Sequence, residues 1–479
     1  MKPATLARAS AALLMAALVG CSTLPKLEEV EPYASSEQPA RIVTASRVLS
    51  EEQSKAIVER LKAQAGDTDI LDRHIAISEA ISKSPMVAGN RTLLLEDGPA
   101  TYAAMQASIR GATRSINFAT YIFEADDTGK QFAALFAEKR RQGVEVNVIY
   151  DSVGSIKTPK EFFEGMRAAG IRVVEFNPVN PLNAKRGWRI NNRNHRKLMI
   201  VDDRTVFIGG INISDVYSGG SFGSGAPSGG PGGSRGNDKA QAAAGNWRDT
   251  HLQIEGPVAA EFQKVFLESW RKQKGEPIAA DKPVGSALPQ GAAPSKGGHL
   301  VRAIASTPDQ RRNEMYLTLL SAVTYAERNI YITTAYLAPD RELKEALQAA
   351  VKRGVDVKLL LSSVSDSWLA FNAGRAHYSD LLRAGVKIYE RRGPLMHAKS
   401  VTIDGVWSSV GSTNIDWRSL LHNDEADAAI LGREFALQME AMFARDLAQS
   451  DEITAETWAR RSPAQRLREG AARMWEYML

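Results

Sequence analysis

Two stretches of this chain carry the same residues at the same spacings. "NHRKLMIVDDRTVFIGGIN" runs from Asn194 to Asn212, and "MHAKSVTIDGVWSSVGSTN" runs from Met396 to Asn414. Each contains a His and a Lys two apart (His195 and Lys197; His397 and Lys399). Each then has an Asp (Asp202; Asp404) and a Gly pair or Gly-Ser ending in Asn (Asn212; Ser412 and Asn414). The residues after each His, "LMIVD" and "SVTID", read as a strand, on which positions i and i+2 share a face. Ring and ammonium therefore point the same way. A glycine-containing turn lets the backbone approach a ligand and lets the Asn reach it. One half offers one His, one Lys and one Asn; two halves facing each other offer two of each.

The duplication extends well beyond the motifs. "GATRSINFATYIF" from Gly111 matches "YAERNIYITTAYL" from Tyr325, and "EKRRQGVEVNVIYDS" from Glu138 matches "AAVKRGVDVKLLLSS" from Ala349. "MRAAGIRVVEF" from Met166 matches "LLRAGVKIYE" from Leu381. Helix and strand alternate in each half, which predicts an α/β fold with a mainly parallel sheet covered by helices on both faces. The period of about 200 residues marks a domain duplication, not a solenoid of ~20–50-residue units. The expected organisation is a signal segment over 1–21, a tether with helices over 22–89 and a first domain over 90–273. A Gly/Ser-rich insertion over 218–236, a linker over 274–298 and a second domain over 299–479 complete it.

The amino terminus predicts an envelope address. Lys2 and Arg8 precede the apolar run "AALLMAALVG", which is too short to span a bilayer and fits a secretory signal. It leads to Leu18-Val19-Gly20-Cys21, which resembles the lipobox of bacterial lipoproteins. Cys21 is the sole cysteine, so its acylation would leave no thiol for a disulfide. The expectation is a periplasmic, lipid-anchored protein, with Ser22 favouring the outer over the inner membrane. The formal charge is +5; loss of Lys2 and Arg8 leaves +3 (5 − 2). So small an excess makes no case for nucleic acid and suits anionic headgroups.

The twofold pattern H-x-K-x4-D-x6-G-[GS]-x-N resembles the phospholipase D superfamily, and bacterial cardiolipin synthases in particular. The resemblance implies duplicated domains, each a mostly parallel mixed sheet flanked by helices, with a single active site at their pseudo-twofold interface. It implies His195 as nucleophile and His397 as general acid. A neutral imidazole can attack phosphorus, and a charged one can protonate the leaving alcohol. Lys197, Lys399, Asn212, Asn414 and Ser412 are expected to hold the non-bridging oxygens. Two lysines supply the positive charge, so neither metal nor other cofactor is expected. The family also places an acid behind each His. "NWRDTHLQIEG" from Asn246 aligns with "HNDEADAAILG" from His422, which matches Asp249 with Glu425. Glu425 lies 28 residues after His397 (425 − 397) and Asp249 lies 54 after His195 (249 − 195), an excess about the size of the Gly-rich insertion. Asp202 and Asp404 belong to the catalytic motifs but end their strands, where they are expected to brace a turn and not react.

Other features have two readings. "WLAFNAGRAHYSDLL" from Trp368 lines an entrance with Trp368, Phe371, Arg375 and Tyr378, or simply packs on the core. The basic stretch from Asn180 to Lys197 draws in headgroups or is a solvated loop. The remaining histidines, His74, His251, His299, His377 and His422, read as structural. Phosphatidyl transfer, joining two phosphatidylglycerols into cardiolipin plus glycerol, is the first functional expectation, with membrane phospholipid as partner. Hydrolysis to phosphatidic acid is the alternative, a nuclease is a third, and a scaffold with a dead site sits badly with two complete motifs. Protein partners, the acceptor and the oligomeric state are not specified by these residues.

Overall fold

The computed structural model describes residues 24–35, 40–66, 68–180, 189, 191–220, 246–278, 298–308, 310 and 312–478. The signal segment with Cys21, most of the Gly-rich insertion and linker, and residues 181–188 of the basic stretch lie outside the described residues. In chain order the strands are β1 Ile42–Val43, β2 Met86–Glu96, β3 Ser115–Thr120, β4 Glu145–Asp151, β5 Arg172–Phe176, β6 Arg193–Asn194, β7 Leu198–Val201, β8 Thr205–Gly209 and β9 Thr250–Glu255. The second half supplies β10 His299–Ser306, β11 Asn329–Thr333, β12 Asp356–Ser362, β13 Lys387–Arg391, β14 Ser400–Ile403, β15 Trp407–Gly411, β16 Asn423–Leu431 and β17 Ser450–Ile453.

The halves repeat one topology. Neighbouring strands run β5-β4-β3-β7-β8-β9-β2 in the first lobe and β13-β12-β11-β14-β15-β16-β10 in the second. β3, β4 and β5 are parallel, as are β11, β12 and β13. These are the strands joined by helical crossovers, such as Asp127–Arg141 and Arg341–Lys352. The His-Lys strands β7 and β14 are antiparallel to their neighbours, because three-residue turns join them to β8 and β15 and a turn that short cannot return a chain in parallel. Apart from the two-residue β1–β2 pair, the parallel share within each lobe is therefore confined to three strands.

Local sequence accounts for the repeated elements. The helix Asp127–Arg141 starts where the Asp126 carboxylate accepts the Gly129 N–H at 2.8 Å, and its last turn carries Lys139, Arg140 and Arg141 against the negative end of the helix dipole. In the second lobe Asp340 caps Arg341–Lys352, and Leu343, Leu347 and Ala350 bury one stripe. Both helices give way to a left-handed glycine, Gly143 (φ 89°) and Gly354 (φ 94°). The β7–β8 turn takes Asp202 through φ 52°, and the β14–β15 turn takes Asp404 through φ 55°. Asp202 accepts the N–H groups of Thr113, Arg114 and Ser115 at 2.7–2.9 Å. Asp404 does the same for Glu327, Arg328 and Asn329 and also accepts from the Thr68 hydroxyl. Each carboxylate thus ties its hairpin to the start of β3 or β11.

The lobes are locked together. β2 pairs antiparallel with β10 across the seam, and β8 and β9 pack against β15 and β16. One apolar cluster is built from both halves: Ile200, Val206, Ile208, Leu252 and Ile254 from the first, and Val301, Val410, Ala428 and Ile430 from the second. Alanines at 303, 426 and 428 let the layers approach closely. A buried ionic contact reinforces this: Arg248 of the first lobe donates to Asp446 at 3.0 and 2.8 Å, and Arg391 donates to the same carboxylate at 3.2 Å. Asp446 is 2% exposed. Asp446→Ala should destabilise the protein by about 3–5 kcal/mol, read as a lowered urea midpoint, because two buried guanidiniums lose their shared carboxylate. A midpoint unchanged from the wild type would show that this contact does not hold the lobes.

Candidate active site

The two His-Lys segments meet where the lobes face each other, and the backbone puts them there. In β6, Asn194 pairs in parallel with Asp424 of the second lobe. The His195 N–H donates to Asp424 O at 2.9 Å. In the mirrored position Arg248 pairs in parallel with Met396, and the His397 N–H donates to Arg248 O at 2.7 Å. The residue before each His is thus paired with the residue before an acid of the opposite lobe.

The side chains follow. His195 Nδ1 lies 3.0 Å from both carboxylate oxygens of Glu425. His397 Nδ1 lies 2.8 Å from Asp249 Oδ2. Both acids anticipated from the sequence stand behind the rings, but each serves the ring of the other half. The count from His to acid within one half does not say which ring each acid meets. Lys197 Nζ donates to His195 O at 2.6 Å, Lys399 Nζ donates to His397 O, and both ammoniums are buried.

Electrostatics follow from burial and crowding. Burial, then the charges of Lys197 and Lys399, push the His195 imidazole well below its ordinary range. Burial and Lys399 lower His397 too, while the hydrogen bond to Asp249 pulls the other way. Burial alone would raise Asp249, but its bond to His397 and the Lys399 charge hold it below the usual carboxylate value. Burial raises Glu425 to about 7 against the opposing pull of Lys197, Ser412 and Asn423. Burial also lowers Lys197 well below its ordinary value and brings Lys399 down to about 8. With each Nδ1 engaged by an acid, Nε2 is the ring nitrogen left for substrate.

The remaining anticipated residues divide. Asn414 lies beside Lys399 in one small cavity, its Nδ2 3.5 Å from the Ser419 hydroxyl. Asn212 is committed: its Oδ1 accepts the Ile122 N–H at 3.1 Å and its Nδ2 donates to Tyr217 at 3.2 Å. Ser412 donates to Glu425 Oε2 at 2.5 Å, so its hydroxyl steadies the acid in this state. Asp202 and Asp404 sit in the turns described above. Arg193 and Arg196, counted with the basic stretch, are buried instead. Arg193 contacts Asp151 and Ser152, and Arg196 donates to Glu425 O at 3.1 Å and to Ser269 at 2.6 Å.

Several neighbours escaped the sequence reading. Tyr217 places its hydroxyl 3.3 Å from His397 Nδ1, and Trp247 lies with its ring centroid 5.5 Å from that imidazole. Tyr121 packs edge-on to His195 at 5.0 Å and lies under Lys197 Nζ at 5.3 Å. Asp151, buried at the end of β4, accepts the Asn194 N–H at 2.9 Å; the Ser362 hydroxyl, at the matching position of β12, accepts the Met396 N–H at 3.0 Å. Asp151 was visible in the repeat "IYDS" against "LLSS", where an acid faces a serine. Tyr217 and Trp247 flank the Gly-rich insertion, and the repeat places Ser419 and Asn423 at their positions, so no shared residue type marks them.

The chain is similar to known proteins. Residues 105–217 and 319–447 match the family described as "Cardiolipin synthase, PLD-like domain". The chain belongs to that family. It is similar to a cardiolipin synthase of Alkalihalophilus pseudofirmus, 32% identical over 88% of this chain and 78% of the relative. It is 34% identical to cardiolipin synthase A of Pseudomonas entomophila over 78% of this chain and 72% of that one. Among solved structures, a phosphatidylserine synthase of Haemophilus influenzae shares the fold, with a TM-score of 0.61 and 13% identity over 84% of this chain and 98% of that one.

The crossed pairing makes a direct prediction. Glu425→Gln should remove the hydrogen-bonded Nδ1 proton resonance of His195 and leave that of His397, and Asp249→Asn should do the reverse. Each should lower turnover by roughly 10²–10⁴-fold. Loss of the resonance from the ring in the same half would overturn the pairing. The pH profile carries a second prediction. Below about 7 Glu425 holds a proton and stops accepting from His195, so the rate should fall on the acid side. Above about 8 Lys399 loses its charge, so the rate should fall again. kcat/KM should therefore fall on both sides, loss of the His397 proton adding to the alkaline fall because burial and Lys399 lower that imidazole, and a profile flat from about pH 6 to about pH 9 would contradict it.

Proposed function

We propose that this cardiolipin-synthase-like phosphatidyltransferase joins two phosphatidylglycerol molecules through a phosphatidyl-histidine at His195. The observation that carries the proposal is the pair of imidazoles, each backed by an acid of the opposite lobe, with a buried lysine beside each. The Nε2 lone pair of neutral His195 attacks phosphorus, and the P–O bond to the head-group glycerol breaks. The departing oxygen takes the proton of His397, whose charge Asp249 stabilises. The terminal hydroxyl of a second phosphatidylglycerol then gives its proton to His397 and attacks the phosphohistidine. Cardiolipin leaves and His195 is restored. Lys197 and Lys399 lie where they can hold the non-bridging oxygens as charge spreads over them; Asn414 is the better placed of the two asparagines to assist.

Burial supports transfer over hydrolysis. His195 is 8% and His397 6% exposed, so the intermediate forms in a site with little room for bulk water. We further infer that Cys21 is acylated and holds the enzyme in the cell envelope beside its substrate, the outer membrane being favoured. No helix among the described residues is long and apolar enough to cross a membrane.

The chain from Ser22, incubated with phosphatidylglycerol vesicles, should yield cardiolipin and glycerol in equal amounts. Phosphatidic acid as main product would move the assignment to hydrolysis, and cleavage of DNA with neither lipid product would refute both. His195→Ala and His397→Ala should each lower turnover at least about 10⁴-fold, and only His397→Ala should still trap labelled lipid on the protein.

A further inference from the structure

Three separate segments run from the reactive centre to an exposed apolar side chain. The His195 ring packs on Tyr121, whose carbonyl accepts from the Ser155 hydroxyl, and the next residue, Ile156, is 66% exposed. The His397 ring lies 6.4 Å from Tyr336, whose hydroxyl donates to Asp366; two residues on, Trp368 is 49% exposed. Arg418, whose charge depresses His195, donates to Asn191 at 3.0 Å. Its neighbour Trp417 packs with its ring tilted against Tyr477 at 5.3 Å, and just before Tyr477, Met474 and Trp475 stand 77% and 55% exposed.

The second and third segments form one platform. Gln465 on the helix Pro463–Arg473 donates to Asn372 on the helix Trp368–Ala376 at 3.2 Å, and Glu476 meets His377 at 2.8 Å. Arg375 and Tyr378, candidates for an entrance in the sequence, are instead tied to Glu390 at 2.6–3.0 Å, which leaves Trp368 to project. From Arg460 to Glu476 the chain has five Arg and two Glu, a net +3 (5 − 2). Both acids are paired, Glu469 with Arg461 and Glu476 with His377, while Arg466, Arg468 and Arg473 are exposed.

We propose that this rim docks the enzyme, reactive centre inward, onto the surface of an anionic phospholipid bilayer. Tryptophan and methionine side chains enter the headgroup boundary and the arginines meet the lipid phosphates. Exposed indoles beside exposed arginines suit that surface better than the apolar core of a protein interface, from which charge is depleted. The proposal rests on the phospholipid substrate inferred above and adds where the protein meets it. Docking at this face brings a headgroup to the site without drawing the whole lipid out of the bilayer.

The chain from Ser22 retains every described residue and can be co-sedimented with vesicles of phosphatidylglycerol and phosphatidylcholine, or of phosphatidylcholine alone. It should bind the anionic vesicles. Trp368→Ser/Trp475→Ser and Arg466→Glu/Arg468→Glu/Arg473→Glu should each weaken that binding at least about 10-fold. Both should keep the wild-type unfolding midpoint and wild-type turnover of short-chain phosphatidylglycerol dispersed as monomers. The single variants Trp368→Gln and Trp475→Gln serve if the double variant does not fold. Undiminished binding by the variants, equal binding to both vesicle types, or an equal loss on dispersed substrate would overturn the docking face. Anionic-vesicle binding that falls in the variants, with no cardiolipin formed by the wild type, would uphold docking and refute the assigned reaction.

Discussion

Two short parallel pairings between lobes, Asn194 with Asp424 and Arg248 with Met396, set the geometry on which the rest depends. Each aligns the residue before a histidine with the residue before an acid from the other half, so the next residue on each strand brings ring and carboxylate together. Neither half alone can assemble an imidazole–carboxylate pair. The β2–β10 seam, the shared apolar cluster and the buried Arg248–Asp446 contact are therefore conditions of the chemistry as well as of stability. A shift between lobes that misaligned the rings or carried them beyond hydrogen-bond distance would open both ring–acid contacts at once. Asp151 and Ser362 add a second hold by accepting the amide just before each ring.

The same closeness shapes the charge balance. Two ammoniums and two carboxylates are buried around two imidazoles, and burial pushes each group toward its neutral form. A phosphodiester entering between the lysines brings a negative charge into this low-dielectric space. It favours the charged form of both lysines and of one imidazole, opposing the direction in which burial pushes them. Substrate thus completes the protonation state that turns it over, and a neutral molecule of similar shape would lack that effect.

Much of this was legible in the sequence because it is local or repeated. The His-Lys spacing on a strand, the acid-capped helices with their glycine stops, and the duplication each depend on a few neighbouring residues. The helix–strand alternation predicts the parallel strands; it is silent on the short hairpins that make the remaining pairings antiparallel. The exchange of Asp249 and Glu425 between rings could not be read, because a repeat aligns equivalent positions within halves and a pseudo-twofold axis pairs positions across them. Ser412 and Asn212 sit at ligand-facing places in the motif, yet their polar atoms are taken by Glu425, Ile122 and Tyr217, contacts that depend on packing alone. Arg193 and Arg196 look like surface charge in a basic run and are buried because the strand enters the interface there.

Duplication made two like sites, and the supports around them then diverged. His195 has a two-oxygen contact to Glu425, itself held by Ser412 and Asn423. His397 has a shorter contact to Asp249, with Tyr217 and Trp247 against the ring. Behind the strands, Asp427 in the second lobe occupies the place that His251 takes in the first: Asp427 Oδ1 lies 2.0 Å from where a Cβ on Gly411 would be, and His251 Nδ1 lies 2.6 Å from the corresponding point on Gly209. A two-step transfer needs one imidazole neutral to attack and the other charged to donate, a difference that a perfectly symmetric site could not hold. Asp249, kept ionised, stabilises the charged form of His397, while burial and the Lys197 and Lys399 charges keep His195 neutral. The unequal surroundings of the two rings are therefore the feature that lets a duplicated motif divide one reaction into two roles.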